Sequence, residues 1–125
     1  MFRIYRGEIL QNRRKIGTAH ENEAVLFLKN RGYKIIEKNY YCRYGEIDII
    51  AQDGDYIVFI EVKYRKNCNM GSPETAVDYN KKNHLIQSAQ YYLYSRYNRN
   101  DIPARFDVFA IQGKLIHLIK NAFEV

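Results

Sequence analysis

The chain has 125 residues and a formal net charge of +6, with 20 Lys and Arg against 14 Asp and Glu. This length fits one compact domain, and a hydrophobic content of 46% is enough to bury a core. The longest apolar runs, such as residues 57–60, are far too short to cross a bilayer, so a membrane protein is not expected.

The cysteines and the amino terminus indicate a reducing compartment. Cys42 and Cys68 form no CxxC pair, so neither a disulfide framework nor a structural zinc site is expected. The first six residues lack the apolar stretch of a secretory signal. We therefore predict a cytoplasmic protein, and its pI near 9.3 favours a polyanionic partner.

Residues 1–16 hold most of the excess positive charge. They predict a basic amino-terminal arm, which is followed by a single domain over residues 17–125. The arm could contact a polyanion, or it could keep the protein soluble or cap the first helix. Its charged residues are Arg3, Arg6, Arg13, Arg14 and Lys15 against Glu8.

The first helix is predicted over residues 17–31. Ala24, Phe27 and Leu28 fall on one apolar stripe, and Gly32 follows as a stop signal. A short strand over residues 33–37 is expected next.

Two stronger strands are predicted over residues 44–51 and 56–65. They are joined through Asp53-Gly54, which is a strong signal for a two-residue hairpin turn.

A second helix is predicted from Ser72-Pro73 to about Tyr97, because a capping hydroxyl is followed by proline at the first helical position. Two closing strands are predicted over residues 105–111 and 114–120, joined across a Gln-Gly turn. The order of elements predicts an α/β fold with a mixed five-stranded sheet flanked by helices.

The predicted hairpin gathers charged residues on one face of the sheet. With Asp53-Gly54 at the turn centre, Asp48 lies opposite Phe59 and Glu46 opposite Glu61. Asp48 and Glu61 then become diagonal neighbours, an arrangement that a bulge in either strand would disturb. The opposite face would be apolar, formed by Ile47, Ile49, Val58, Ile60 and Val62.

Such a group of carboxylates predicts a metal site. Carboxylates this close repel one another unless a cation or a shared proton relieves them. Mg²⁺ suits the site because it takes one or two carboxylates, keeps several waters and binds substrate phosphate. Lys63 lies on the same face as Glu61, where it can stabilise phosphate charge or position an attacking water. The alternative is a half-exposed hairpin with a solvated polar face.

Two helical residues extend this site. Glu21 lies three residues before Ala24 and seven before Leu28, on the apolar stripe of the first helix. A carboxylate there needs a partner, unless it only stabilises the helix dipole from the first turn. Lys81 falls on the apolar side of the second helix, where a snorkelling lysine is the simpler interpretation.

The second helix is also rich in tyrosine. Most of these rings are expected to pack in the core, and those on the exposed side can stack on bases or contact phosphate. The tyrosines are Tyr91, Tyr92, Tyr94 and Tyr97.

The motif Gly-Glu-Ile-Asp at residues 45–48, followed by Glu-Val-Lys at 61–63, resembles the PD-(D/E)XK nuclease core. This is the restriction-endonuclease and Holliday-junction-resolvase-like fold. More narrowly, residues 17 to 123 resemble the YraN-like family of uncharacterised, endonuclease-like proteins. The other matching segments are Glu21 with Ala24, residues 39–44, Phe59-Ile60, Gly71-Ser72-Pro73, Ala76-Val77 with Lys81, and Arg105-Phe106-Asp107-Val108.

The resemblance implies a nuclease-like domain that hydrolyses DNA phosphodiester bonds with Mg²⁺ or Mn²⁺. Asp48 and Glu61 would bind the metal, with the backbone carbonyl of Val62 as a third ligand. Lys63 would be the catalytic lysine, and Glu21 the helix-borne acid that completes the site. The alternatives are a catalytically silent nucleic-acid-binding module and a partner-binding subunit on the same fold.

The expected partner is DNA, including branched DNA recognised by structure rather than by sequence. The sequence leaves the oligomeric state open, with a homodimer as one alternative, because a small nuclease that cuts both strands often needs two copies. His20 stands where the family usually has glycine, which could alter how closely a phosphate backbone approaches. The residues expected to contact nucleic acid are Arg13, Arg14, Lys15, Arg65 and Lys81.

Overall fold

The computed structural model describes residues 19–65, 79–99 and 101–123. Over these ranges the protein has an α/β fold with a mixed five-stranded sheet and two helices, which confirms the predicted class and is consistent with a restriction-endonuclease-like core. The predicted arm and the predicted helix start at Ser72-Pro73 lie outside the described residues. The elements are α1, described over residues 19–30, β1 (Lys34–Cys42), β2 (Gly45–Asp53), β3 (Tyr56–Arg65), α2 (Tyr79–Tyr97), β4 (Ala104–Gln112) and β5 (Leu115–Phe123).

The strands lie in the sheet in the order β1-β2-β3-β4-β5. The β3–β4 pair is parallel, and the other three pairs are antiparallel. Parallel neighbours need a long crossover connection, and α2 lies between β3 and β4 in the chain. The strand β3 therefore occupies the centre of the sheet, with β2 on one side and β4 on the other.

The two helices cover opposite faces of the sheet, because alternate residues of the central strands belong to two separate core clusters. The α1-side cluster contains Ala24 and Leu28 of α1 together with Ile49, Ala51, Val58, Ile60, Phe109 and Ile111. The α2-side cluster contains Leu85, Ala89, Tyr92 and Leu93 of α2 together with Ile50, Ile57, Phe59, Phe106, Val108 and Ala110. No helix within the described residues is both long and apolar enough to cross a membrane.

The hairpin between β2 and β3 is present, but the predicted turn is wrong by one residue and the predicted strand pairing by two. Asp53 pairs with Tyr56, so Gly54 and Asp55 form the turn. Gly54 has a φ of +60° at the first central position, where a type II′ turn requires a positive angle. Phe59 consequently lies opposite Ile50 and not opposite Asp48.

The same shift occurs between β4 and β5. Gln112 pairs with Leu115, so the turn is Gly113-Lys114 and not Gln112-Gly113. Gly113 also has a φ of +60°. In both hairpins the glycine occupies the first central position of the turn, whereas the sequence-based prediction assigned it to the second.

The strand β2 is irregular at Asp48. Its ladder with β3 ends at the pair Ile49–Ile60. Ile47 belongs to the α2-side cluster, although strict alternation would assign it to the same face as Ile49. The prediction that Ile47 and Ile49 share one face is therefore wrong, because the alternation breaks between them.

The neighbouring strand β1 is irregular at the same level. Lys38 pairs with Ile49 and Tyr40 with Ile47, so Asn39 lies across from Asp48. Asn39 has a φ of +53°, a left-handed backbone conformation that asparagine tolerates better than most residues. Both strands thus depart from regular geometry where Asp48 leaves the ladder.

Candidate metal centre and active site

The carboxylate of Asp48 is held at this irregularity by the backbone of β3. Its Oδ2 accepts a hydrogen bond of 2.9 Å from the N–H of Val62. Burial, followed by the nearby Glu61 carboxylate, raises the pKa of Asp48 to about 7, although the Val62 hydrogen bond opposes both effects. Asp48 is thus a fixed and partly desolvated carboxyl group with a second acid beside it.

Two more carboxylates converge on Asp48. Glu21 extends from α1 and Glu46 from β2, and one carboxylate oxygen from each of the three acids lies within 4.8 Å of the others. We call Glu21, Glu46 and Asp48 the acid cluster. Glu21 is half-buried, four residues before Val25 and three before the fully buried Ala24, so the apolar stripe of α1 carries it toward the sheet.

Glu46 was not among the predicted metal ligands. The available signal was its position two residues before Asp48, which predicted a shared face of the strand. The break in alternation between Ile47 and Ile49 does not separate these two acids, because their carboxylate oxygens lie within 4.8 Å of each other. Glu46 is exposed and therefore open to solvent-borne ligands.

Glu61 lies next to this cluster but has cationic partners of its own. Its side chain is 8% exposed, and its Oε1 lies 3.4 Å from Nζ of Lys63 and 3.3 Å from Nζ of Lys81. Lys63 comes from the same strand, whereas Lys81 reaches Glu61 from α2. The ammonium groups offset the charge of a carboxylate that is almost fully removed from water.

The sequence predicted four catalytic residues, and the fold brings them to one region. Glu21 and Asp48 meet in the acid cluster, Glu61 is close enough to raise the pKa of Asp48, and Lys63 pairs with Glu61. Val62 connects the acid cluster to the Glu61–Lys63 pair, because its N–H donates to Asp48 and it follows Glu61 directly in the chain.

Of the five residues predicted to contact nucleic acid, Arg13, Arg14 and Lys15 lie outside the described residues. Arg65 is half-buried at the end of β3. The side chain of Lys81 is 42% exposed while its ammonium group contacts Glu61.

His20 packs next to this region. Its ring stacks on Tyr64 with centroids 3.9 Å apart and planes at 20°. Its Nδ1 lies 3.5 Å from Oε2 of Glu23 on the same helix. The stack joins α1 to β3 beside Glu21 and Lys63, which gives this ring a structural role.

Asp107, which lies in one of the segments that resemble the YraN-like family, is the centre of a buried polar network. Its side chain is fully buried and accepts hydrogen bonds from the Tyr33 hydroxyl, the Arg105 guanidinium and the backbone N–H of Asn121. Arg105 also donates a hydrogen bond of 2.6 Å to Asp53, and this bond, together with the charge of Arg105, holds the pKa of Asp53 below its usual range. These contacts tie β4 to β2 and β5, so Asp107 supports the sheet.

Comparison with known proteins gives the family of the chain. Residues 20–111 match the model of the family described as Uncharacterised protein family UPF0102. The chain belongs to the UPF0102 family. This agrees with the resemblance to YraN-like proteins seen in the sequence.

Individual UPF0102 proteins match nearly the whole chain. A UPF0102 protein of Lachnoclostridium phytofermentans is 43% identical over 113 residues, which cover 90% of this chain and 96% of the relative. One from Thermodesulfovibrio yellowstonii is 46% identical over 109 residues, covering 87% and 96% respectively. One from Caldicellulosiruptor saccharolyticus is 41% identical over 118 residues, covering 90% and 99%. These names state no activity.

The UPF0102 match includes every residue of the candidate site. The acid cluster, Glu61, Lys63 and Lys81 all lie between residues 20 and 111. The family region therefore contains the complete set of groups from which a function can be argued.

Proposed function

We propose that this UPF0102 protein is a divalent-metal-dependent endonuclease that hydrolyses DNA phosphodiester bonds. The observation that carries the proposal is the convergence of Glu21, Glu46 and Asp48 within 4.8 Å, with Glu61 and Lys63 beside them. The order Gly-Glu-Ile-Asp followed by Glu-Val-Lys, similar to the PD-(D/E)XK core, supports it independently.

The donor set fits a hard divalent cation. Every side chain of the acid cluster offers carboxylate oxygen, which suits Mg²⁺ and Mn²⁺. Burial and the nearby carboxylates raise the pKa of Asp48, and a bound cation would relieve the repulsion among these negative charges. Asp48 and Glu61 would hold the ion, with the Val62 carbonyl as a third ligand. Such an ion polarises a phosphate oxygen and lowers the pKa of a bound water.

Glu21 and Glu46 would support the ion through its coordinated waters. Mg²⁺ keeps several waters in protein sites, and these waters need acceptors. Glu46 is exposed, so it can also reach a water on the substrate side.

Lys63 would act on the phosphate. Its ammonium lies 3.4 Å from Glu61, and its side chain is 26% exposed, so it can reach a non-bridging oxygen or orient the attacking water. A fixed positive charge near the phosphorus stabilises the charge that develops in an in-line displacement. Lys81 flanks Glu61 from α2 and would add a second cation beside the substrate.

DNA is the proposed substrate because the charge of the chain suits a polyanion. The formal net charge is +6, and α2 carries Lys81, Lys82 and Arg96 without a single acidic residue. Recognition of the backbone and its shape is expected to dominate over recognition of bases.

The test is cleavage of labelled linear and branched DNAs in Mg²⁺, Mn²⁺ or chelator. We expect cleavage with either metal and none with chelator. Asp48→Asn and Glu61→Gln should each reduce the rate by roughly a hundredfold or more, because they remove charges that hold the ion. Glu23→Gln is the matched control, an exposed acid on the same helix as Glu21, and it should cleave normally.

Two outcomes would contradict the proposal. One is normal cleavage by Glu61→Gln. The other is DNA binding by the wild-type protein with no cleavage of any DNA in either metal, which would favour the silent nucleic-acid-binding module.

A further inference from the structure

An open groove of about 390 Å³ lies on the outer side of α2. Its volume falls in the lower part of the range of small-molecule sites, roughly 300–1,000 Å³. The groove is lined by Tyr44, Gln87, Gln90, Tyr91 and Tyr94.

The groove presents aromatic rings to solvent. On α2, Gln87, Gln90, Tyr91 and Tyr94 follow one another at spacings of three, one and three residues, so they form one stripe of the helix. Tyr91 is 43% exposed and Tyr94 is 62% exposed. The neighbouring Tyr92 is fully buried and belongs to the α2-side cluster, whereas Tyr91 and Tyr94 lie outside that cluster.

The rings from the β1–β2 turn and from α2 meet at one end of the groove. Tyr44 and Tyr91 make an edge-to-face contact with centroids 5.9 Å apart. Arg43 donates a hydrogen bond of 2.6 Å to the Tyr44 hydroxyl, and its guanidinium lies 4.8 Å from the centre of that ring. At this end of the groove, the Tyr44 ring is held by Tyr91 and Arg43, and the Arg43 guanidinium places a positive charge at the margin.

The chemistry of the lining suits a nucleobase. Aromatic side chains stack on bases of any sequence, and the amides of Gln87 and Gln90 can both donate to and accept from a base edge. None of the five lining residues carries a charge. The nearby Arg43, together with the acid-free helix, would favour the phosphate that accompanies the base.

The groove adjoins the acid cluster through the backbone. Tyr44 precedes Glu46 by two residues, a separation of at most about 7 Å between their Cα atoms. The intervening Gly45 has a φ of +142°, and a Cβ there would lie 3.7 Å from Oγ of Ser88, so this turn runs against α2. The β1–β2 turn thus supplies Tyr44 to the groove and, two residues later, Glu46 to the acid cluster.

We propose that this groove binds an unpaired nucleobase next to the scissile phosphate. The inference rests on the proposed nuclease function, and it narrows the substrate to DNA with a single-stranded segment at the cleavage site, such as an overhang, flap or open junction. A base inside a duplex is stacked on both sides and paired at its edge, so it would have to be unstacked before it could enter.

The test measures binding in chelator, where no metal-dependent cleavage can occur. Fluorescence anisotropy would follow a labelled oligothymidylate and a labelled blunt duplex. Tyr91→Ala and Tyr94→Ala should each weaken oligothymidylate binding by roughly 5- to 100-fold, the range expected for loss of one stacked base. Both variants should bind the blunt duplex within about twofold of wild type, because phosphate contacts dominate there.

Two control variants separate stacking from other effects. Tyr94→Phe keeps the ring and should retain wild-type affinity for oligothymidylate. Tyr79→Ala removes a more exposed tyrosine from the same helix, outside the groove lining, and should also bind normally. Thermal melting of each variant would check that α2 stays folded.

The inference is overturned if wild-type protein does not bind oligothymidylate. It is also overturned if Tyr91→Ala and Tyr94→Ala bind it normally, or if they lose duplex affinity to the same extent. Cleavage of DNA by wild type together with normal binding by both variants would remove the inference and leave the nuclease proposal intact. Ring-dependent binding without metal-dependent cleavage would instead retain the base-binding groove and remove the nuclease proposal.

Discussion

Asp48 and Glu61 are neighbours, but the groups that compensate their negative charges differ. Glu61 has two ammonium groups within 3.4 Å. Asp48 has one backbone hydrogen bond, and burial together with Glu61 raises its pKa to about 7. In the metal-free protein, the charged form of Asp48 is therefore under electrostatic strain.

This strain predicts a pH-dependent effect of Asp48→Asn on stability. A carboxyl with a higher pKa in the folded than in the unfolded state makes the folded state bind more protons, so the free energy of unfolding falls as pH rises from about 4 to about 7. Asparagine keeps an oxygen for the Val62 N–H but carries no charge. In chelator, the variant should melt several degrees above wild type at about pH 8, and the difference should vanish near pH 4.

Calorimetry at several pH values would measure this difference. Added Mg²⁺ or Mn²⁺ should reduce it, because only the wild-type protein keeps the Asp48 charge for the ion. A melting temperature difference that is the same at pH 4 and at pH 8 would contradict the electrostatic interpretation.

Lys63→Met separates chemistry from binding. Methionine keeps an unbranched chain and removes the charge near the phosphate, so cleavage should fall by roughly a hundredfold or more while DNA affinity changes less than tenfold. Single-turnover rates and anisotropy would measure the two quantities. Lys29→Met, at an exposed site on α1, is the control. Equal losses of rate and affinity in Lys63→Met would make Lys63 only another phosphate contact.

At the scale of elements, the irregularity shared by β1 and β2 positions Asp48. The β2–β3 ladder stops at Ile49–Ile60, and the Asp48 carboxylate takes the Val62 N–H that follows. Across the β1–β2 pair, Asn39 adopts a φ of +53°. A continuous regular strand would have turned the carboxyl group to the other face.

Substitutions of Asn39 therefore test whether this irregularity depends on the positive φ of that residue. Asn39→Gly should retain stability, since glycine accepts a positive φ, whereas Asn39→Val should lose about 1–3 kcal/mol because a β-branched residue is strained there. Urea unfolding would measure both variants. Lys38→Val, at the adjacent exposed position, should change little, since valine suits a strand. Similar stability of Asn39→Val and Lys38→Val would show that the irregularity does not depend on Asn39.

The network around Asp107 predicts a stability effect separate from the site. Asp107→Ala would leave Arg105 without its fully buried partner and the Asn121 N–H without an acceptor, at a cost of roughly 3–5 kcal/mol. Chemical denaturation would measure the loss. The folded fraction should still cleave at the wild-type rate, and a variant that is as stable as wild type but inactive would assign Asp107 to catalysis.

At the scale of the whole molecule, local sequence patterns predicted the helices and strands better than they predicted the pairing between strands. Hydrophobic periodicity and turn residues predicted five strands and both helices, because these signals are local. The hairpin register depended on which turn position the glycine takes, and the break at Asp48 lies opposite Asn39 of another strand, which has a positive φ. Neither the register nor the break can be predicted from the residues next to it in the sequence.

The candidate site shows the same division. Glu21, Asp48, Glu61 and Lys63 were predicted from spacing and resemblance, and they lie in one region of the structure, although the predicted pairing of Asp48 with Phe59 was wrong. A shift of two residues by itself keeps the same face of a strand, whereas the break in alternation beside Asp48 was not predicted. The contact of Lys81 with Glu61 and the groove beside Tyr44 required the placement of α2 against the sheet, which depends on long-range packing.

The most direct test of the central claim is to locate the metal ion. Anomalous diffraction from crystals grown with Mn²⁺ and a non-cleavable DNA should give a peak within coordination distance of the Asp48 and Glu61 carboxylates. The Glu61–Lys81 contact, now 3.3 Å, should lengthen as the ion takes over part of the Glu61 charge. The Asp48→Asn variant should lose the peak. DNA bound in the crystal with no Mn²⁺ at the acid cluster, or with Mn²⁺ held by other residues, would contradict the account.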